Sequence, residues 1–157
     1  MSLNNQKHRK IAIAIDPLSE EAYKTIQWAK ENFFRQTDEI HAIMIMVLDG
    51  EFDEQDDIEI PPTDSLEAIK QELTQEKMRA MDKIVEVIEK DGYKVEKHVF
   101  KTNSRHARNV LVDYIEKEKK DCLIMGSRNL SGWKRLFLGS FSDYVQSHVN
   151  CPVLIVK

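Results

Sequence analysis

The apolar positions of this chain change period repeatedly, and each change marks the boundary of an element. Ile11-Ala-Ile-Ala-Ile15 is a short β-branched run that stops at Asp16-Pro17, where proline has no N–H to give to a ladder. Ala22, Ile26, Ala29 and Phe33 then recur at helical spacing behind Ser19, a candidate N-cap. Ile40 to Leu48 reads as one apolar stretch, the mark of a strand covered on both faces. Leu66, Ile69, Leu73, Met81, Ile84 and Ile88 form one stripe of a long helix, with Thr63 or Ser65 as cap and Gly92 placed to end it. Tyr93 to Phe100 alternates, and its lysines predict a strand near a sheet edge. Ala107, Val110, Leu111, Tyr114 and Ile115 make a third amphipathic helix, Asp121 to Met125 a short buried strand. Phe141, Tyr144, Val145 and Val149 mark a last helix and Cys151 to Val156 a last strand.

The order is β-α-β-α-β-α-β-α-β. Helices between apolar strands imply right-handed crossovers and a doubly wound α/β fold, a mostly parallel sheet with helices on both faces. No repeat or linker divides the chain, so residues 1–157 are expected to form one domain with a polar tail over 1–9. Hydrophobic residues make up 41% and charged residues 32%, which predicts a soluble globular protein with a charged surface.

A net charge of −4 argues against a general nucleic-acid binder, which carries a basic excess or stripe. No apolar run approaches the roughly 20 residues of a membrane span. The polar amino end lacks the apolar centre of a signal peptide, so a cytoplasmic location is expected. Cys122 and Cys151 lie in or beside apolar runs without CxxC spacing and read as free thiols. The five histidines, at 8, 41, 98, 106 and 148, form no HxxxH or HxH pair, and no metal site is expected from them.

In a doubly wound sheet, ligands sit at the carboxyl ends of the strands where the strand order reverses. If the first and fourth strands flank that reversal, Asp16 faces Gly126. The stretch MGSRNLSGWKRLFLGS (125–140) would then run from the fourth strand into the last helix. A helix N-terminus has unpaired N–H groups and favours an anion, and Gly139 has no Cβ to keep a phosphate away. Ser140 either caps the helix with Asp143 or gives its hydroxyl to the phosphate. On local sequence alone an ordinary turn and cap is the favoured reading, because neither GxxxxGK[ST] nor GxGxxG occurs in the chain. Arg128, Lys134 and Arg135 either neutralise a triphosphate or are solvated, while Trp133 and Phe137 pack the loop. Residues 49–64 hold eight acidic residues and no Lys or Arg; they read as a solvated excursion before a Mg²⁺ site.

Taken together, IAIAID, MVLD, DCLIMGSR, LGSFSDYV and CPVLIVK resemble segments of the universal stress protein family, and the resemblance covers nearly the whole chain. The family's nucleotide-binding branch carries G-x2-G-x9-G-[ST] after the fourth strand. Gly126, Asn129, Gly139 and Ser140 fall on those positions with the spacing intact. The resemblance implies a five-stranded sheet of order 3-2-1-4-5, ATP (or AMP or ADP, with Mg²⁺) at the switch point, and a homodimer through the C-terminal strand Val153–Val156. It sets Asp16 and the backbone around Ala14 near base and ribose, and the backbone of Val47 at the adenine edge. Met125, Gly126, Ser127, Arg128 and Asn129, with Gly139, Ser140, Phe141 and Ser142, would follow ribose and phosphates.

Two positions depart from the pattern. Asn129 replaces the second glycine, and asparagine is the non-glycine residue that best tolerates a left-handed backbone. Lys101-Thr-Asn-Ser104 stands where members often place a glycine before the third helix. Neither Ser140 nor Ser142 has a histidine close in the motif, Asp16 has no nucleophile beside it, and no residue is identifiable to position water. No catalytic residue is therefore expected, and slow ATP hydrolysis is the upper bound. The expected function is that of a dimeric ATP-dependent regulator or sensor in the stress response. The alternatives are a protein-interaction module with a degenerate pocket and, more remotely, a flavin or nucleotidyl-transfer enzyme of similar fold.

Overall fold

A computed structural model describes residues 8–47, 63–126 and 138–157, with the side chains of 63–66 and 138–140 left aside. The elements are β1 (Lys10–Ala14), α1 (Glu20–Asn32), β2 (Glu39–Val47), α2 (Thr63–Lys90), β3 (Lys94–Thr102), α3 (Ala107–Lys117), β4 (Cys122–Gly126), α4 (Leu138–His148) and β5 (Val153–Val156). The strands form one sheet of order β3-β2-β1-β4-β5, and every pairing is parallel. This is the expected order and class.

The central strands read as apolar throughout because both faces are covered. On one face Ile11, Ile13, Ile40, Ala42, Met44 and Met46 pack against Ala22, Ile26 and Ala29 of α1 and Met81, Ile84 and Ile88 of α2. On the other, Ala12, Ala14, Ile43, Ile45, Val47, Leu123 and Met125 meet Leu111 and Ile115 of α3 and Phe141 and Val145 of α4. Each such large side chain contributes about 1.5–3 kcal/mol by leaving water. β3 lies at the edge, as its lysines predict, and is only partly buried along its length.

Two helix ends follow the sequence, while Thr63 and Ser65, the candidate caps of the long helix, lie inside α2. Ser19 Oγ accepts from Ala22 N at 3.2 Å, and Gly92, at φ 89, takes the left-handed turn after α2. Two boundaries differ from expectation. β5 starts at Val153 rather than Cys151, because Pro152 lends the ladder only a carbonyl, which accepts from Leu123 N at 3.0 Å. Phe33 is the C-cap of α1 and only half-buried, with the Arg9 guanidinium 4.6 Å from its ring centre, and Phe34 takes the buried place. The predicted end of the second strand, Leu48, and residues 49–62 of the acidic segment lie outside the described residues. Asp38 closes the turn into β2. Its buried carboxylate accepts from Arg9 Nε at 2.8 Å, from Arg9 Nη2 at 2.6 Å and from Arg35 N at 2.8 Å.

Candidate functional site at the strand-order reversal

β1 pairs with β2 on one side and with β4 on the other, so the sheet changes winding direction between β1 and β4. Ala14 stands opposite Met125, one residue short of Gly126 at the end of β4. Helices leaving adjacent strands toward opposite faces open a crevice there, where ligands of such sheets sit.

Asp16 lies two residues past the end of β1 and is 6% exposed. Its Oδ1 accepts from Leu18 N at 3.2 Å, and its carbonyl accepts from Ser19 N at 3.1 Å and from the Ser19 hydroxyl at 2.9 Å. Pro17 stops the ladder, the carboxylate pins the turn, and Ser19 then starts α1. A local device thus fixes an acidic group at the crevice.

Its counterpart is Lys77 of α2, which sequence periodicity passed over. Lys77 is buried, and burial draws its ammonium below the ordinary lysine range while the charge of Asp16 pulls it back up. A signal was present: Lys77 stands four residues after Leu73 and four before Met81, on the apolar stripe itself. A lysine on that stripe needs a buried counter-charge, and the end of β1 supplies it.

Val47 and Met125 are 1% exposed at the carboxyl ends of β2 and β4, where only their backbone remains to offer a ligand. α4 begins at Leu138, so Gly139 and Ser140 lie inside its first turn. The expected N-cap role of Ser140 is therefore corrected: Leu138 and Gly139 are already helical, so Ser140 belongs to the first described turn of α4. The side chain of Phe141 is 2% exposed and belongs to the core under the sheet, while Ser142 is half-buried. Ser127, Arg128 and Asn129, with Trp133, Lys134, Arg135 and Phe137, lie outside the described residues. After β3, Asn103 Oδ1 accepts from His106 N at 3.1 Å, so the segment that replaces the expected glycine turns the chain into α3.

The end of β1 therefore offers a buried carboxylate with a buried ammonium whose charge it answers. Cys122 is buried and Cys151 half-buried, both free, as expected. Burial pushes the Cys122 thiol up to about 11, which leaves it a poor nucleophile. Among the described residues, no helix is long and apolar enough to cross a membrane.

Residues 7–157 match the universal stress protein family. A universal stress protein of Methanocaldococcus jannaschii is 32% identical over 98 residues, 62% of this chain and 56% of that protein. The chain spans just over half the length of this relative and of a second one from the same organism, 56% and 53%. A universal stress protein family protein of Arabidopsis thaliana, solved with AMP bound, superposes with a TM-score of 0.65 at 16% identity, over 95% of this chain and 91% of its own. The universal stress protein of Archaeoglobus fulgidus in complex with dAMP gives a TM-score of 0.60 at 17% identity, over 96% and 98%. Identities that low speak to the fold alone. The match over nearly all its residues, carried on a parallel sheet of order 3-2-1-4-5, shows that the chain belongs to the universal stress protein family.

Proposed function

We propose that this chain binds an adenine nucleotide in the β1–β4 crevice and acts as a cytoplasmic regulatory or sensor module of the stress response. The observation that carries the reading is buried Asp16 past the end of β1, next to the end of β4 at Gly126, where the strand order reverses; the first turn of α4, the next helix in the chain, would supply the N–H groups. A carboxylate there accepts from a ribose hydroxyl, and the N–H groups of a helix start donate to phosphate oxygens. Gly139 leaves that turn without a Cβ, so phosphate oxygens approach the backbone. The backbone of Ala14 and Val47 would border the base, and Met125, Gly126, Ser127, Arg128 and Asn129 with Ser140, Phe141 and Ser142 the ribose and phosphates. AMP and dAMP in two proteins of the same fold support an adenine ligand. ATP with Mg²⁺ is the form a stress sensor would read, and a homodimer through Val153–Val156 the form in which it would act.

The geometry favours binding over turnover. The carboxylate of Asp16 is committed to the Leu18 N–H and stands beside Lys77, so it is not placed as a general base. Calorimetric titration with ATP, AMP and ADP, each with and without Mg²⁺, tests the reading. Saturable heat at or below millimolar nucleotide is expected; no heat and no thermal stabilisation would overturn it. Asn129 in the place of a motif glycine favours a second reading, an interaction module with a closed pocket. In that case Asn129→Gly restores no binding, and Gly139→Glu leaves self-association and partner capture unchanged.

A further inference from the structure

We infer that β2 and β3 together carry a binding site for a divalent transition metal of the zinc class, built by His41, His98 and Glu96. The parallel register sets His41 opposite Glu96 and Ile43 opposite His98, so the three side chains share the sheet face that α3 covers. Their ligand atoms converge. His41 Nδ1 is 2.9 Å from His98 Nε2 and 3.5 Å from one Glu96 oxygen, and His98 Nε2 is 3.9 Å from the other. Donor atoms on a tetrahedral zinc stand about 3.3 Å apart, within the spread of those three separations. Two imidazoles and a carboxylate suit zinc and its first-row neighbours rather than magnesium or calcium, which prefer all-oxygen sets.

The surroundings orient the donors. Glu39 Oε1 accepts from His41 Nε2 at 2.8 Å, which puts the ring proton on Nε2 and turns the Nδ1 lone pair toward His98 and Glu96. A carboxylate behind a histidine in this way fixes its tautomer and raises its strength as a ligand. The two rings lie within 20° of one plane, so they meet edge to edge. In the metal-free protein His98 Nε2 donates its proton to His41 Nδ1; an ion takes that place as His98 shifts its proton to Nδ1. Burial, and then the charge of Lys120, hold His41 below the ordinary histidine range, and burial does the same for His98. Tyr114 brings its hydroxyl to 3.5 Å from His41 Nδ1, and burial keeps it a phenol. It is placed to hydrogen-bond a water in the fourth position, as in sites with three protein ligands. His41 is 5% exposed, His98 22% and Glu96 59%, so an ion enters from the Glu96 side onto a ring already held in place.

The full-length chain, stripped with EDTA and titrated calorimetrically with zinc chloride, tests the site. One ion per chain at micromolar or lower Kd is expected, with Tm raised by about 5–10 °C at a hundredfold excess over Kd. His98→Gln and Glu96→Gln, at partly exposed positions, should each weaken uptake at least tenfold, and Glu39→Gln about tenfold through the orientation of His41. His106→Gln and His148→Gln should change nothing. No saturable uptake at micromolar zinc, or uptake undiminished in both His98→Gln and Glu96→Gln, would overturn the site and leave a hydrogen-bonded histidine pair. The site lies away from the carboxyl ends of the strands, so its outcome is independent of the nucleotide titration.

Discussion

Two polar groups are set into the apolar sheet of this protein, and they were assembled by different means. At the end of β1, Asp16 is held by a four-residue turn and answered by Lys77 from a helix on one face. In β2 and β3, His41, Glu96 and His98 meet through strand register alone, on the other face. The first group is a pair of opposite full charges, where removing one strands the other. The second is built on imidazole rings beside carboxylates, where each member can be changed with less collateral cost. The difference teaches where each region is brittle. The crevice depends on charge balance, the strand cluster on alignment.

The largest effect should come from upsetting that balance. Asp16→Ala leaves Lys77 without its counter-charge and frees the turn, and should cost about 3–5 kcal/mol of stability in urea unfolding. Asp16→Asn keeps an oxygen for Leu18 N and should lose less. If the two behave alike, the charge is not what matters. Next, Gly139→Glu sets a carboxylate where phosphates would lie and should weaken nucleotide binding at least 100-fold, about 2.7 kcal/mol, while zinc uptake stays within twofold. Loss of both in calorimetry would make the two regions one unit.

Ser19→Ala removes the cap of α1 and a donor to the Asp16 carbonyl. It should cost about 1 kcal/mol by chemical denaturation without touching zinc uptake. The smallest effect concerns pH. The pKa of Lys77 is lower in the folded protein than in the unfolded chain, so the unfolded state binds more protons between the two values. Stability should therefore rise with pH across the window below 10.5 and level off there. In Lys77→Met that slope should be smaller when denaturation midpoints are compared across the window, with Lys120, also lowered by burial, supplying what remains.

Most of the fold was legible because its signals are local. Alternation of apolar periods marked the nine elements of the described residues, the lysines of 94–101 marked an edge, and Ser19 and Gly92 marked helix ends. Asp16 and Gly126 were legible through the geometry of doubly wound sheets and the family motif together. Lys77 was missed because an apolar stripe is read by its hydrophobic members, and a lysine between Leu73 and Met81 passes as a solvated residue. The histidines were missed for a deeper reason. His41 and His98 are 57 residues apart, and only the pairing of Ile43 with His98 brings them together, which no spacing along the chain expresses. The role of Ser140 changed because the helix is already under way at Leu138, three residues before the first helical position that a cap at Ser140 allows.

The two edges of the sheet are unlike, and this limits what the protein can build. β3 spans nine residues and carries Lys94, Glu96, Lys97 and Lys101; β5 spans four, all apolar and half-buried. Charged side chains along an edge discourage a further strand, and a bare apolar edge invites one. Copies that join edge to edge therefore have a single usable border each. A twofold pairing of β5 with β5, as proposed above, would consume both borders and turn the charged ones outward, and growth would then halt at two copies.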